Sequence, residues 1–323
     1  MRHFSITLSL VIISLFFASC SNDDDNNTTT PNIVQTASAT ADLSSLVAAL
    51  QAADGDLVNV LNGEGPFTVL APTNAAFSAF LSANGFASLD DVPTDVLSQI
   101  LLNHVISGEV RSTDLSTGYV NTSASGIGNT NLSLYVNTSN GVRFNGVSSV
   151  STPDITASNG VVHIVDAVIG LPDVTTFATA DSNFTSLVDA LTADASFTYV
   201  STLQTANGTS PAPFTVFAPT NAAFQALLDS NASWNSIDDI PTATLAAVLE
   251  HHVIAANNIR SSALSDGQVT PATLEGDTLT VNIDANGNVS LTDGSGNNSA
   301  IVAVDVQATN GVIHAIGSVL IPN

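Results

Sequence analysis

An eleven-residue block occurs twice in this chain, and the repeat constrains the fold more than any other feature. The first copy, FTVLAPTNAAF, spans residues 67–77 and the second, FTVFAPTNAAF, spans residues 214–224, an offset of 214 − 67 = 147. Two shorter pairs follow in the same order: NHVI at 103–106 with HHVI at 251–254, and NGVVH at 159–163 with NGVIH at 310–314. Units of this length are far longer than solenoid repeats, so the sequence predicts two tandem domains, each with its own core.

The repeated block has the pattern of a strand, a corner and a helix start. Phe67 and Val69 alternate with threonine, which is typical of a half-buried strand. Pro72 lacks the amide donor that a ladder needs, so the strand should end there. Thr73 or Asn74 can then cap a helix by accepting a hydrogen bond from a free backbone amide. The matching residues of the second copy are Thr220 and Asn221. The block holds no nucleophile, base or metal ligand, and we interpret it as a folding element.

These blocks resemble the signatures of the fasciclin-like domain family. The first signature is similar to F-T-x-F-A-P-T-N-x-A-F and the last to N-G-x-x-H-x-I/V-x-x-V-L, and both occur in each copy, the last at residues 159–169 and 310–320. The resemblance covers residues 33 to 323. It implies an α+β fold in each domain, with several helices packed around a twisted β-sandwich or wedge. It also implies an extracellular adhesion module without catalytic activity or a cofactor.

The chain therefore divides into four parts. Residues 1–19 are interpreted as a signal peptide, residues 20–32 as a lipidated cysteine with an acidic tether, residues 33–170 as the first fasciclin-like domain and residues 171–323 as the second. The linker between the domains is short, about residues 170–173, so we expect the two domains to touch.

The N-terminus has the pattern of an exported lipoprotein. A basic start precedes an apolar run, residues 4–18, that is short for a membrane span and typical of a secretory signal peptide. Residues 17–20, Phe-Ala-Ser-Cys, resemble a bacterial lipobox, although Phe17 stands where Leu, Val or Ile is usual. Cys20 is the only cysteine of the chain. A single cysteine cannot form an internal disulfide, so its position favours acylation; the alternative is a chance cysteine near an ordinary cleavage site.

A polar segment without periodicity follows Cys20 and predicts a disordered tether. It contains Ser21 and the acidic run Asp23, Asp24 and Asp25. A serine-plus-acidic run directly after a lipidated cysteine resembles the surface-export signal of some Gram-negative lipoproteins. The alternative is a plain spacer. We favour a lipid-anchored protein exposed on the outer face of the outer membrane.

Helices and hairpins are predicted at equivalent places in the two copies. Apolar residues at i, i+3, i+4 and i+7 indicate a first helix. These residues are Leu43, Leu46, Val47 and Leu50, and in the second copy Phe184, Leu187, Val188 and Leu191. A second helix should follow Pro93, with Val96, Leu97, Ile100 and Leu101 on its buried face. The pairs Asn140-Gly141 and Asn286-Gly287, each between β-type segments, predict hairpin turns.

The charge of the chain excludes some partners. Four Lys and Arg residues stand against 28 Asp and Glu residues, for a formal net charge of −24, and lysine is absent. Such a surface repels nucleic acid and anionic lipid headgroups, so the membrane should be reached only through the N-terminal lipid. The charge can serve solubility, which we favour, or weak divalent-cation binding and cation-bridged attachment to acidic glycans. The segment 284–288 resembles a calcium loop, but its glycine stands fourth rather than sixth, and a hairpin turn is the better interpretation.

Four histidines recur at equivalent positions: His104, His163, His252 and His314. A metal site needs several ligands at short, patterned spacing, whereas the two histidines of each domain lie 163 − 104 = 59 and 314 − 252 = 62 residues apart. We expect buried, hydrogen-bonded core histidines and no metal site. In animal members of the family a Tyr-His pair near the central histidine is implicated in receptor binding. Here Asn103 precedes His104, so animal-type integrin binding is not expected.

Sequence motifs of catalysis are absent from the chain. It has no Gly-x-Ser-x-Gly elbow, no Walker loop and no Gly-x-Gly-x-x-Gly after a strand. Two hypotheses remain open. The first is a surface adhesion or matrix protein that binds an extracellular glycan or protein without catalysis. The second is an enzyme or carbohydrate-handling accessory that uses a glycosidase-like pair of carboxylates.

Overall fold

The computed structural model describes residues 29–323, and residues 31–323 form one compact unit. The signal peptide, Cys20, Ser21 and the acidic run lie outside the described residues. Among the described residues no single helix is long and apolar enough to cross a membrane; one pair, Ile33–Ala39 with Ala41–Ala52, reaches that length only across a bend of 108°. The two halves of the unit are each built from one sheet and several helices, which confirms the predicted α+β class and the tandem arrangement.

The first domain begins with helices and ends with strands. Its helices are α1 (Ile33–Ala39), α2 (Ser44–Ala52), α3 (Leu57–Asn62), α4 (Asn74–Ala83) and α5 (Thr94–Leu102). Its strands are β1 (Phe67–Pro72), β2 (Val105–Ser107), β3 (Gly118–Ser125), β4 (Asn131–Asn137), β5 (Arg143–Phe144), β6 (Ser148–Ala157) and β7 (Gly160–Val165). Short 3₁₀ turns occur at Ala41–Leu43, Leu89–Asp91 and Ile127–Asn129. The strands form one sheet in the order β2-β1-β7-β6-β5-β4-β3.

The second domain repeats this order. Its helices are α6 (Val174–Ala180), α7 (Thr185–Leu191), α8 (Tyr199–Leu203), α9 (Asn221–Asp229) and α10 (Thr242–His251). Its strands are β8 (Phe214–Pro219), β9 (Val253–Ala255), β10 (Thr280–Ile283), β11 (Val289–Thr292), β12 (Asn298–Ala308) and β13 (Gly311–Ile316). Its 3₁₀ turns are Ser182–Phe184, Ile237–Asp239 and Ser261–Ala263. The sheet order is β10-β11-β12-β13-β8-β9.

The first and last repeated blocks of each domain lie side by side. Strand β1 pairs in parallel with β7, which places Leu70 opposite His163. Strands β8 and β13 pair in the same way and place Phe217 opposite His314. The middle block joins them, because the amide of Leu70 donates to the carbonyl of His104 at 2.8 Å. The three repeated blocks of one domain therefore meet at one strand, β1 in the first domain and β8 in the second, which we call the central strand because the other two blocks lie on either side of it.

The central strand is buried on both faces, so the predicted half-buried strand is wrong. Val69 and Ala71 pack into the core under the helices, whereas Leu70 points into a second core inside the folded sheet. Thr68 is fully buried. Its hydroxyl is satisfied there because it donates to the carbonyl of Gly108 at 2.7 Å and accepts from the amide of Val110 at 2.8 Å. The threonine alternates with apolar residues because it has buried backbone partners and not because it faces water.

The helix after Pro93 is present, but its predicted buried face is shifted. Val96 is 37% exposed, and Ser98 is buried in its place beside Leu97 and Leu101. The single hydroxyl proton of Ser98 is shared between the carbonyls of Thr94, at 2.7 Å, and Asp54, at 2.9 Å, which satisfies the buried hydroxyl. Leu97, Ile100 and Leu101 are therefore buried as the apolar pattern predicts, and Ser98 rather than Val96 completes the buried face.

Both predicted hairpins are confirmed. Strands β4 and β5 pair antiparallel across the Asn140-Gly141 turn, and β10 pairs with β11 across residues 284–288. In the second turn the carboxylate of Asp284 accepts hydrogen bonds from the amides of Asn286 and Asn288, both at 2.8 Å. These bonds close the turn locally, in agreement with a hairpin.

The two domains touch, as the short linker predicts. Tyr119 of the first domain donates its phenol proton to Asp181 of the second at 3.0 Å, and its ring packs 5.7 Å from the ring of Phe177. Tyr135 belongs to the core of the second domain although it lies on β4 of the first. The amide of Gln307 also donates to the hydroxyl of Ser133 at 2.9 Å. The interface thus combines buried aromatic contacts with hydrogen bonds.

Candidate functional site

The capping threonines lie where the strand of each repeated block turns into a helix. Thr73 accepts a hydrogen bond from the amide of Ala76 at 3.2 Å and is the N-cap of α4. Thr220 does the same for Ala223 at 3.3 Å at the start of α9. Of the two cap candidates in each copy, threonine therefore caps the helix and asparagine is its first residue.

The asparagines instead connect two helix ends. Asn74 accepts from the amide of Ser45 at 2.8 Å and donates to the carbonyl of Ala41 at 3.0 Å. Asn221 makes the corresponding bonds to Ser186 at 2.9 Å and to Ser182 at 2.8 Å. The side-chain oxygen thus satisfies an amide that has no partner inside the neighbouring helix. The amide side chain is engaged at both ends by backbone.

The central histidines are buried and held by backbone at both ring nitrogens. His104 Nδ1 lies 2.7 Å from the carbonyl of Ile100, and its Nε2 accepts from the amide of Ile169 at 2.9 Å. His252 repeats both contacts, to Val248 at 2.6 Å and to Leu320 at 2.9 Å. A carbonyl can only accept and an amide can only donate, so both rings are neutral with the proton on Nδ1.

Burial explains the electrostatics of these rings. Burial lowers the pKa of His104 to about 4, and burial likewise lowers the pKa of His252 to about 4. Removal from water disfavours the charged imidazolium, and the backbone hydrogen bonds offset only part of this effect. Both rings are neutral at pH 7.

The last pair of histidines carries the opposite tautomer. His163 donates from Nε2 to the carbonyl of Val110 at 2.9 Å and accepts at Nδ1 from the amide of Asp154 at 3.1 Å. His314 donates to Ile259 at 2.8 Å and accepts from Asp305 at 3.4 Å. Both aspartates have positive φ, 61° and 60°, and lie where β6 and β12 bulge away from their partner strands. Each ring therefore holds a bulge against the strand that carries the histidine.

The aspartates of the bulges are bound by serine. Asp154 accepts from the amide of Ser112 at 2.8 Å and from its hydroxyl, and these hydrogen bonds lower the pKa of Asp154. Asp305 is bound in the same way by Ser261, with distances of 2.7 Å and 2.6 Å. The carboxylates are satisfied by neighbouring backbone and hydroxyl groups.

The sequence analysis did not identify the role of two buried asparagines, Asn159 and Asn310, which hold backbone segments together. Asn159 accepts from the amide of Ile33 at 2.9 Å and donates to the carbonyls of Leu61 and Gly63 at 2.7 and 2.8 Å. Asn310 makes the same three bonds in the second domain, to Val174, Leu203 and Thr205. The repeated Asn-Gly pair could have indicated this role, because an asparagine that recurs at the start of a strand in both copies can bind backbone groups in both.

The repeated polar residues of each domain thus surround the central strand and are engaged with backbone groups. His251 differs from the repeated histidines, because it follows neither hydrogen-bonding pattern and lies next to Glu275 and Asp277.

A pair of carboxylates, Asp54 and Asp95, lines an open groove of the first domain, and both residues are exposed. Neither carboxyl group is buried, so this groove differs from a glycosidase site whose general acid lies in an apolar pocket.

Comparison with known proteins decides the family. The model of the fasciclin domain matches residues 41–172 and again residues 182–322. The chain belongs to the fasciclin family. The tandem domains found in the fold are therefore two fasciclin domains, as the resemblance of the repeated blocks implied.

Individual relatives place the two fasciclin domains among proteins of varied size. Protein sll1483 of a Synechocystis strain is 38% identical over 137 residues, which is 42% of this chain and 72% of that protein. Human periostin is 29% identical over 264 residues, which is 81% of this chain but only 29% of periostin. The cell surface glycolipoprotein MPB83 of Mycobacterium bovis is 43% identical over 82 residues, 24% of this chain and 35% of that protein.

A solved structure shares the arrangement of the pair. It is a FAS1 domain pair from the insect cell adhesion molecule fasciclin I, with a TM-score of 0.53 and 21% sequence identity. The match covers 87% of this chain and 97% of the other. At this identity the likeness establishes the fold of the pair.

Proposed function

We propose that this protein is a lipid-anchored adhesion or matrix-binding protein of the cell surface, without catalytic activity. The observation that carries the proposal is the tandem fasciclin pair itself, since a pair of the same fold comes from a cell adhesion molecule. Its partner would be an extracellular glycan or a surface or matrix protein. The proposal is consistent with the repeated polar residues, whose side chains bind backbone groups of their own domain.

The joined pair favours binding through a broad surface. The aromatic contacts of Tyr119 and the bond between Ser133 and Gln307 hold the domains together, so a partner would meet one body rather than two independent modules. The strongly negative charge would favour a neutral or cationic partner, or a bridging cation if the partner is acidic.

The binding test uses the full mature chain, released from the membrane by Cys20→Ser. This protein is incubated with arrayed glycans and surface proteins, with calcium and with a chelator. Saturable retention on one class of partner supports adhesion. Release of new reducing ends from a glycan, lost in Asp54→Asn or Asp95→Asn, would instead favour the carbohydrate-handling enzyme. Retention equal to that of an unrelated acidic protein would contradict specific adhesion.

The lipid anchor is proposed from Cys20, the single cysteine at the end of the signal peptide. The relative MPB83 is a cell surface glycolipoprotein, which is consistent with this form of attachment. Cys20→Ser should move the protein from the membrane fraction to the soluble fraction. Ser21→Ala is the matched control, because it changes the neighbouring hydroxyl and leaves the thiol. A Cys20→Ser protein that stays in the membrane fraction, with wild type free of lipid, would contradict the anchor.

Export to the outer face is proposed from Ser21 and the aspartates at 23, 24 and 25. Replacing the three aspartates with alanine should leave lipidation intact and trap the protein on the periplasmic side. Replacing them with glutamate is the control, since it retains the charge. Protease treatment of whole cells then measures exposure on the outer face. Equal cleavage of wild type, the alanine variant and the glutamate variant would show that the acidic run is only a spacer.

A further inference from the structure

His251 differs from the four repeated histidines in its surroundings. The repeated rings bind backbone groups at both nitrogens, whereas His251 has no backbone partner at either within residues 29–323. Its side chain is completely buried, and its Nε2 has no hydrogen-bonding partner among the described residues. Its Nδ1 makes one long hydrogen bond, of 3.5 Å, with the hydroxyl of Thr273. Hydrogen bonding to the fold therefore does not account for this imidazole.

Two carboxylates face the ring. Glu275 Oε2 lies 3.4 Å from His251 Nδ1, and Asp277 completes a group whose three ligand atoms lie within 4.8 Å of one another. A charge-assisted hydrogen bond measures about 2.7–2.9 Å, so 3.4 Å is long for one. It is close to the separation of two ligand atoms around tetrahedral zinc, which bond lengths of about 2.0–2.2 Å set at about 3.3–3.5 Å. The His251–Glu275 spacing therefore fits coordination of a shared ion better than a direct hydrogen bond, and the group as a whole, with atoms up to 4.8 Å apart, would close around the ion on binding.

The carboxylates have no other cation. Among the described residues no arginine pairs with either of them: Arg111 pairs with Glu109, Arg260 pairs with Asp305, and Arg143 forms no salt bridge. The chain has no lysine. His251 is also the last residue of α10, and the C-terminal end of a helix carries a partial negative charge that favours a cation. Charge and geometry agree at this place.

The first domain provides an internal comparison. The loop Thr273–Asp277 is closed by a hydrogen bond from the amide of Thr273 to the carbonyl of Asp277, at 2.8 Å. In the first domain the amide of Gly126 bonds to the carbonyl of Thr130 at 2.6 Å, at an offset of 273 − 126 = 147. The residues of the first domain at the three places are Asn103, Gly128 and Thr130. Asn103 is fully engaged there, donating to Gly170 and accepting from Thr122.

The two domains therefore differ in a coordinated way. One domain has an amide with complete hydrogen bonds and no carboxylate in the loop, and the other has an imidazole and two carboxylates at the same three places. A single change of this kind would strand a buried polar group, whereas all three together provide a set of metal ligands.

We propose that His251, Glu275 and Asp277 form a divalent metal site of the second domain. Imidazole with two carboxylates suits a first-row transition ion such as Zn²⁺, and water would complete the coordination. Calcium and magnesium prefer oxygen ligands alone, so they should bind less tightly here. The ion would connect the end of α10 to the loop before β10. The site is local and specific, unlike weak cation binding by scattered surface acids.

The test measures Zn²⁺ binding to the full chain after metal removal by a chelator, using competition with a chromophoric chelator. Wild type should bind one Zn²⁺ per chain tightly. Glu275→Gln and Asp277→Asn should each weaken that affinity about ten-fold or more, since each replaces a carboxylate that binds the ion directly. His251→Asn, which installs the residue of the first domain, should abolish it. Glu64→Gln is the matched control, because it removes one exposed carboxylate elsewhere and should leave the affinity unchanged.

A second measurement keeps the proposal testable if His251→Asn folds poorly. Zn²⁺ should raise the melting temperature of wild type and of Glu64→Gln but not that of Glu275→Gln, because only a folded-state site gives this stabilisation. Ca²⁺ at the same concentration should have a smaller effect. Binding that is equal in wild type and all variants would overturn the proposal and assign the ion to scattered acids. Absence of stoichiometric binding to wild type would overturn it as well.

Discussion

The repeated histidines of each domain act in pairs with opposite proton positions. His104 holds its proton on Nδ1 and His163 on Nε2, because each ring lies between one carbonyl and one amide. A neutral ring is both donor and acceptor, which no lysine or arginine can be. The residue type therefore follows from the backbone groups that must be joined, and a metal is not needed to explain it.

Truncation of a last-block histidine should destabilise its own domain. His163→Ala leaves the carbonyl of Val110 and the amide of Asp154 without their partner, which costs about 1–3 kcal/mol. Hydrogen exchange should show lower protection of the first domain. His314→Ala is the matched variant and should lower protection of the second domain. Unchanged protection together with loss of a bound metal or of an activity would show that these histidines do chemistry.

The central histidines should make stability depend on pH. Their pKa is about 4 in the folded protein and about 6.5 in the unfolded chain, so the unfolded chain binds more protons between these values. Stability from this source is fully present above pH 6.5 and is lost as the pH falls towards 4. Each ring should contribute a loss of about 3 kcal/mol across that window.

The measurement is urea unfolding between pH 7 and pH 4, at constant salt. The double variant His104→Gln and His252→Gln is the control, because glutamine does not titrate. Its stability should fall less steeply over the same window than that of wild type. His314 remains in this variant, and burial lowers its pKa too, so a smaller slope of the same sign should persist. Equal slopes in the two proteins would show that the central rings do not titrate as described.

At the scale of elements, the parallel pair of β1 and β7 depends on one glycine. Gly160 lies opposite Phe67 with φ of 148°, and a Cβ there would come within 1.9 Å of the carbonyl oxygen of Phe67. The strands can approach only because residue 160 has no side chain. The Asn-Gly pair of the last block therefore has two structural roles. Asn159 supplies a buried amide side chain, and Gly160 allows the backbones of β1 and β7 to approach closely.

Gly160→Ala should destabilise the first domain strongly, by about 3 kcal/mol or more, since the backbone must shift in a filled core. Gly118→Ala is a matched control. Gly118 has almost the same φ, 149°, but no atom lies within 4 Å of its added Cβ. Thermal unfolding of both variants separates the steric clash from the cost of the backbone angle. Equal destabilisation by the two substitutions would show that the angle and not the clash decides.

Much of each element could be predicted from the sequence, because strands, caps and hairpin turns are local. The Thr-Asn pair at residues 73–74 indicated a helix start, and Asn286-Gly287 indicated a turn. The burial of Thr68 could not be predicted, because its partners Gly108 and Val110 come from a segment 40 residues later. An alternating pattern shows that two faces differ, but it does not show that a second layer covers the polar one.

At the scale of the whole molecule, groups far apart in sequence create the sites that local patterns miss. Glu275 and Asp277 meet His251 only after α10 and the following loop have folded together. The local pattern shows only that His251 stands beside His252, and it does not connect His251 with a later loop. The internal repeat held the usable signal, since the two copies differ at all three places.

The interface is also a property of the whole molecule. Tyr119 donates to Asp181, and burial together with that carboxylate raises the pKa of Tyr119, so the phenol remains a donor. The rings of Tyr135 and Phe177 lie 5.1 Å and 5.7 Å from the ring of Tyr119. Such contacts are worth more than the single hydrogen bond, because aromatic pairs add to the burial of apolar area.

Tyr119→Ala should therefore loosen the pair without unfolding either domain. Solution X-ray scattering should show a larger maximum dimension and a broader distribution of distances, since the linker, the burial of Tyr135 and the bond between Ser133 and Gln307 would then hold the domains without the Tyr119 ring. Tyr119→Phe, which keeps the ring and loses only the bond to Asp181, should stay close to wild type. If Tyr119→Ala scatters as wild type does, the linker and the remaining contacts fix the arrangement, and the ring of Tyr119 is not needed for it.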